Sequence, residues 1–493
     1  MGTVIRLVAT DGSIVEFVDT LVAQGGMKDV YFSPDKTYVV AFYRTPQDFN
    51  SRDRLDNIVG IYRQRIFDQP GGDYWHNLYC WPEKIVMWNG LLGITSPTYP
   101  KHFFFATGNL QGKEKEGKWF ASARLRNKFL SSDEKGSWLT HIRMCLQIAR
   151  AVRRMHAAGL AHSDLSYRNV LVDPITGSAS IIDIDSLVVP GKYPPDVLGT
   201  PDFIAPEVLE TQLLPPGDAN RKTPCILTDR HALAVLIYQY LLYRHPLRGG
   251  KVFSMDEKED ELLGMGAQAL FIEHPIDKSN RPKIANLHPA ELPQSDVERL
   301  PYTLCGPYLK ELFDKAFITG LHEPSQRPTA DEWEQALLKT TDLVLPCSNP
   351  DCEAKWYVYD NSTRPQCPFC GTVYKNMLPI LNLYYSPKRG NYRPEDYRLI
   401  VYNKQSLYMW HVDRFVTPNE KLRPEHRAPV ADFHWHNGRW ILINRKLPNL
   451  KDITERRDVP IGDAVELTEG KQILLSNRDG GRLAIVQLVH GTA

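Results

Sequence analysis

His162-Ser163-Asp164-Leu165-Ser166-Tyr167-Arg168-Asn169-Val170-Leu171 is the stretch on which the fold turns. It follows a segment, 138–158, in which Ile142, Cys145, Leu146, Ala149, Val152 and Met155 share one helical face, and Gly159 stops that helix. The decapeptide matches the pattern H-R-D-L-x-x-x-N except at Ser163. A carboxylate at Asp164 suits a group that orients an attacking hydroxyl and accepts its proton. An amide at Asn169, five residues on, suits a group that reaches a magnesium ion, so the spacing fits phosphoryl transfer. Taken alone, the same residues also describe a helix C-terminus followed by an Asx-rich turn.

The flanking sequence favours the chemical reading. In Ile181-Ile182-Asp183-Ile184-Asp185 an apolar strand ends in an aspartate 14 residues after Asn169, as a magnesium-binding D-F-G segment does. Gly199-Thr200-Pro201-Asp202-Phe203-Ile204-Ala205-Pro206-Glu207 matches the end of an activation segment, A-P-E. Asp229 opens an apolar helix over 229–243, and Gln326-Arg327-Pro328-Thr329 precedes a helix over 331–338. In this order, residues 10–340 resemble the eukaryotic-type protein kinase family in its bacterial form. The resemblance implies ATP, Mg2+ (or Mn2+) and a protein hydroxyl as acceptor, Ser/Thr before Tyr. It also implies that Glu207 pairs with Arg327 and that Asp229 holds the catalytic-loop backbone. More narrowly, Tyr31-Phe32-Ser33-Pro34-Asp35, the segment 67–82 and a trailing cysteine cluster resemble kinases of bacterial tellurite-resistance-associated loci. Those kinases accompany a von Willebrand-type TerY protein and a PPM-type phosphatase, which the resemblance therefore implies as partners.

Several positions depart from the family pattern. Ser163 replaces the arginine that normally meets a phosphorylated activation loop, so activity is expected not to require loop phosphorylation. Ser166 stands where Ser/Thr kinases place a phosphate-neutralising lysine. Arg168 is the candidate to supply that charge, and a plain solvated arginine is the competing reading. Asp185 replaces the glycine after the metal-binding aspartate. Asp183 is the preferred magnesium ligand beside Asn169, and Asp185 either joins it or faces away.

The small lobe departs most. Ala23-Gln24-Gly25-Gly26-Met27-Lys28-Asp29-Val30 keeps little of G-x-G-x-x-G-x-V, yet Gly25 and Gly26 permit close backbone approach to phosphate and Lys28 can add charge. Val39-Val40-Ala41-Phe42-Tyr43-Arg44 sits where V-A-I-K belongs, with Tyr43 at the lysine position and Arg44 the nearest cation. A helix over 52–67 offers no glutamate, only Asp48, Asp53 and Asp56 nearby. Strand alternation sets Arg44 on the opposite face from Ala41. Val30 and Ala41 are candidates for the nucleotide cleft, with Pro97 and Thr98 near the adenine. The missing lysine supports a rival reading, a pseudokinase scaffold that docks partners. A small-molecule phosphotransferase is disfavoured by the complete A-P-E-type segment.

Cys347-x4-Cys352-x14-Cys367-Pro368-Phe369-Cys370 supplies four sulfurs from two paired knuckles, the pattern of a structural zinc site. Cys80, Cys145, Cys225 and Cys305 are scattered and read as buried free thiols. From 399 on, short alternating segments at 399–402, 406–412, 430–435, 440–444, 464–467, 472–476 and 483–488 predict a small β-sandwich. The stretch 432–444 with Ile461-Gly462-Asp463 resembles FHA-like domains, although the serine and histidine that read phosphothreonine are not evident.

The expected fold class is α+β: a bilobal kinase-like domain over 1–343 (small lobe 1–100, large lobe 101–343), a zinc ribbon over 344–375 and an FHA-like sandwich over 376–493. With 493 residues, 42% of them hydrophobic, and a formal net charge of +1, the chain has an ordinary foldable composition. The near-zero charge and the lack of a basic stripe argue against nucleic acid as a partner. The N-terminus lacks a signal-peptide pattern, Arg6 breaks a myristoylation signal, and no apolar run approaches the roughly 20 residues of a membrane helix. A cytoplasmic protein is expected.

Overall fold

A computed structural model describes residues 2–189, 192–195, 198–215, 217–360 and 364–490. The chain divides into two compact units. The first comprises Met1–Gly136, Thr140–Pro301 and Glu311–Glu334; the second comprises Ser137–Leu139, Tyr302–Lys310 and Gln335–Ala493.

The first unit begins with a hairpin of β1 (Val4–Val8) and β2 (Ile14–Val18), turned by Asp11-Gly12. Then come β3 (Ala23–Gln24), β4 (Lys28–Phe32), β5 (Tyr38–Tyr43), β6 (Lys84–Trp88) and β7 (Leu91–Pro97). These five form an antiparallel sheet in the order β3-β4-β5-β7-β6. Alternation sends Val40 and Phe42 to the face that β2 covers with Val15 and Phe17. Phe17 lies 5.3 Å from Tyr31 and 5.0 Å from Trp88, ring centre to ring centre. Gly93 of β7 is opposite Phe42, and a Cβ there would come within 2.5 Å of the phenyl ring. Tyr43, Ile85, Leu92 and Ile94 emerge on the other face, against Leu55 of the helix Phe49–Asn57. Asp48 caps that helix through Ser51 N at 2.7 Å, so it starts three residues before the expected 52. It continues through a π turn, Ile58–Tyr62, into Arg63–Phe67.

The helical part is built on Trp138–Ala157 and on Ile226–Leu242, whose side chains are buried almost throughout. Between them, β8 (Val170–Asp173) and β9 (Ser178–Ile181) form a hairpin in which Val170 faces Ile181. That register explains the 14-residue spacing noted above. The hairpin folds back, so Asn169 and Ile182 meet at its open end, with Ile182 N donating to Asn169 O at 3.0 Å.

In the second unit, β10 (Val344–Pro346) pairs with β11 (Trp356–Val358) beside the cysteine cluster. Ten strands follow: β12 (Met377–Lys388), β13 (Asn391–Ile400), β14 (Ser406–Leu407), β15 (Ala431–His436), β16 (Arg439–Asn444), β17 (Lys451–Asp452), β18 (Arg457–Asp458), β19 (Ala464–Glu466), β20 (Gln472–Leu474) and β21 (Arg482–His490). They make a six-stranded sheet, β13-β12-β21-β20-β17-β18, and a four-stranded one, β14-β15-β16-β19. Leu381, Leu399 and Val486 of the first share a core with Phe433, Leu442 and Val465 of the second. The strand expected over 406–412 is instead β14 followed by a helical turn, Met409–Val412. β12 and most of β13, the longest hairpin among the described residues, have no counterpart among the expected strands. Pro379, Pro387 and Pro394 hide it, since proline removes a ladder donor. Pro379 precedes the pairing with β13, and Pro387 falls where that register shifts.

Candidate active site

Asp164 is held on three sides. Its Oδ1 accepts from Thr200 N at 2.6 Å and Thr200 Oγ1 at 2.8 Å, and its Oδ2 accepts from Asn169 Nδ2 at 2.9 Å. Asn169 Nδ2 also donates to Asp164 O at 2.8 Å. With its nitrogen so engaged, the amide presents its oxygen as the remaining acceptor, the donor atom a divalent cation takes. Ser166, fully buried, lies 3.1 Å from Thr200 Oγ1. The loop backbone is fixed from below by Asp229, which accepts from His162 N at 2.7 Å and Ser163 N at 3.1 Å. Glu207 and Arg327 form a two-pronged pair at 2.8 and 2.7 Å, and the buried guanidinium also meets three backbone carbonyls. Thr200, within the Gly199–Glu207 motif, is a site residue whose role no local sequence pattern signals.

A cleft of about 490 Å³ opens between the sheet and the β8–β9 region. Of the sequence candidates, Gly25, Lys28, Val30, Ala41, Pro97, Thr98, Asp183 and Asp185 line it. Gly26 and Arg44 do not. Arg44 is a correction to the search for a substitute cation. Its Nε pairs with Asp29 at 3.0 Å and its guanidinium bonds Gly25 O, so it braces the β3–β4 turn and, among the described residues, meets none of the aspartates near the helix.

The cation in the cleft is Lys28. Its ammonium lies 2.6 and 2.7 Å from the Asp185 carboxylate oxygens and 3.5 Å from Asp183 Oδ1. Lys28 is the direct ladder partner of Tyr43. Paired residues project from the same face of a sheet, so a lysine on β4 reaches the space that a lysine at position 43 would fill. Tyr43 OH also donates to Asp185, making a buried three-residue cluster. Burial works against the Asp185 charge, but Lys28 and these hydrogen bonds outweigh it and hold its carboxyl below the usual range. Burial, then the Asp185 charge, push Asp183 the other way. Asp183 has a left-handed backbone, φ 60°, and its side chain is about half exposed to the cleft.

The helix Phe49–Asn57 turns its polar groups to the segment after Asp185. Asn57 Nδ2 donates to Tyr193 OH at 2.8 Å, Tyr193 OH donates to Asp53, and Arg54 donates to Pro194 O at 2.6 Å. These contacts tie the helix to the segment.

Arg168 is exposed and lines a different cavity, with Tyr167 and Asp202, rather than the cleft containing Lys28. In the second unit, the sulfurs of Cys347, Cys352, Cys367 and Cys370 lie within 4.8 Å of one another. Cys347 and Cys370 are 3.5 Å apart, and Cys352 and Cys367 are 3.8 Å apart. Four thiols at such separations fit the tetrahedron of a structural zinc ion.

Residues 115–336 match the protein kinase domain family. This stretch is similar to a protein kinase domain. The match starts beyond the five-stranded sheet, where the sequence departs most from the family pattern. The dual serine/threonine and tyrosine protein kinase of Apis mellifera is 34% identical over 73 residues, 15% of this chain and 7% of that protein. The serine/threonine-protein kinase PkaB of Streptomyces coelicolor is 32% identical over 118 residues, 21% of this chain and 25% of that protein. Among solved structures, a Toxoplasma gondii rhoptry antigen kinase domain aligns with a TM-score of 0.41 and 15% identity, over 69% of this chain and 87% of that one. The chain thus spans a quarter or less of the length of these two relatives.

Proposed function

We propose that the protein is an ATP-dependent protein kinase that phosphorylates a protein hydroxyl, serine or threonine before tyrosine. The observation that carries this reading is Lys28, a part-buried ammonium in the cleft where the family's usual lysine is absent. Asp164 is the group that orients the acceptor hydroxyl and takes its proton. Thr200 keeps its carboxylate aimed. Lys28 binds the nucleotide phosphates once they displace part of its contact with Asp183 and Asp185. Asn169 and Asp183 would hold Mg2+ or Mn2+, which supplies charge neutralisation when bound. Asp185, engaged by Lys28 and Tyr43, positions that lysine.

Cys347, Cys352, Cys367 and Cys370 are assigned a structural zinc ion. A cytoplasmic signalling role, with a TerY-type protein and a PPM-type phosphatase as partners and an FHA-like C-terminal sandwich, completes the reading and rests on the sequence resemblance. The pseudokinase alternative draws on one feature. The helix Phe49–Asn57 commits Asp53 to Tyr193, and among the described residues none of its carboxylates meets Lys28.

Incubation with labelled ATP and Mg2+ tests the proposal, beside Asp164→Ala. Label on the wild-type protein or an added protein acceptor, absent with the variant, is expected. Absence of transfer together with absence of a nucleotide-induced thermal shift would overturn it.

A further inference from the structure

Beside the catalytic loop, on the large-lobe side, lies a cavity of about 520 Å³ that the nucleotide reading leaves unused. The loop alternates there: Ser166 and Asn169 are buried, while Tyr167 and Arg168 between them face outward. Arg168 N donates to Ser166 Oγ at 3.2 Å, which fixes the direction in which the residue leaves the loop. Its guanidinium has no hydrogen-bond or ion-pair partner among the described residues. Lys283, across the same cavity wall, has none either.

The other charges in the wall are already committed. Arg248 binds Asp202 through Nε at 2.8 Å and Nη2 at 2.5 Å, and Tyr167 OH adds a third bond to Asp202 at 3.2 Å. Lys118 is paired with Glu116 at 2.7 Å. Glu291 is the opposing charge, and it accepts from its own helical turn at His288 N, 2.8 Å. Two cations without a partner among the described residues therefore line this cavity, one of them on the loop that carries Asp164.

We propose that this cavity seats an acidic side chain, Asp or Glu, of the protein substrate, flanking the phosphorylated residue and read by Arg168 with Lys283. The inference rests on the kinase reading above and names its substrate class. Arg168 then acts in substrate selection, in place of the phosphate-neutralising role expected from the sequence. A guanidinium is suited to this because it offers a fork of donors to a carboxylate and stays charged at any working pH.

The test separates the two readings by measuring binding without ATP and transfer with it. A fluorescent nonapeptide carries a central serine in an alanine background, with glutamate placed in turn at each of three positions on either side. Matching peptides carry lysine. Anisotropy is measured with the full chain as wild type, Arg168→Glu and Lys283→Glu at fixed ionic strength. For wild type, glutamate at one flanking position is expected to tighten binding about tenfold over alanine, the value of one charge-assisted hydrogen bond. Arg168→Glu should invert the preference, so that lysine at that position binds better than glutamate, and Lys283→Glu should weaken the glutamate peptide. A merely structural role for Arg168 would not produce this inversion. Equal binding of all peptides by the wild type, or an unchanged preference in both variants, would overturn the proposal. Absence of transfer with any peptide while the charge preference persists would count against the kinase reading alone.

Discussion

Lys28 and Tyr43 face each other across the β4–β5 ladder and together grip one carboxylate, that of Asp185. The pair interchanges two residues across adjacent strands while keeping the ammonium at one point in the cleft. Lys28→Met is therefore expected to lower the rate of phosphoryl transfer by roughly 100-fold or more, the scale for removing one preorganised charge donor. Adding Tyr43→Lys should recover part of that loss, because directly paired Cβ atoms lie only about 5 Å apart. Single-turnover kinetics on the single and double variants read both effects. A wild-type rate for Lys28→Met would remove Lys28 from the active site.

Thr200 makes a different prediction, since it touches Asp164 and not the cleft. Thr200→Val deletes the hydroxyl bond and leaves the backbone bond at 2.6 Å in place. A drop of about tenfold in kcat is expected, the weight of one hydrogen bond to a charged group. The KM for ATP should not change, and Thr200→Ser should retain most of the activity. A change confined to the KM for ATP would refute the positioning role.

The first unit should lose stability in mild acid. Burial pushes His141 down to about 4, aided by Arg126, and His141 lies between the carbonyls of Tyr240 and Lys135. Burial likewise brings His245 to about 4, against the pull of Asp202. Both folded values lie below the unfolded value of about 6.5, so protons favour the unfolded chain. The stabilising effect of the neutral rings is complete above about pH 6.5 and fades as pH falls toward 4. Each histidine contributes a slope of roughly 1.4 kcal/mol per pH unit in that window. Urea unfolding at pH 7 and pH 5.5 measures it, and His245→Asn should flatten the slope.

Zinc content gives a prediction independent of catalysis. One zinc per chain is expected, with none in the Cys367→Ser, Cys370→Ser double variant. Because binding a structural ion is coupled to folding, a chelator should lower the melting temperature of the protein. Unchanged zinc in the double variant would refute the ligand set.

The large lobe was legible in the sequence because its signals are local. Asp164 and Asn169 sit on one loop, and a short hairpin carries the chain to Asp183. The small lobe was not legible in the same way. Lys28 stands out in the sequence only as a nearby charge, because its placement depends on the β4–β5 register, and register is a long-range fact that one strand's pattern does not carry. Arg44 was the nearer cation in sequence, and alternation had already counted against it. The β12–β13 hairpin stayed hidden because three prolines mask it, although its partner strand β21 was found.

The site of Lys28 has one more consequence. In the usual arrangement the catalytic cation belongs to a strand in the middle of the sheet. Here it begins β4, immediately after the turn Gly25-Gly26-Met27, on the hairpin that forms the edge of the sheet. On the kinase proposal, the turn over the nucleotide phosphates and the charge that holds them would thus be one mechanical part. Raising that turn to release product would withdraw the charge in the same movement, so exchange of nucleotide and loss of catalytic competence would share a single coordinate.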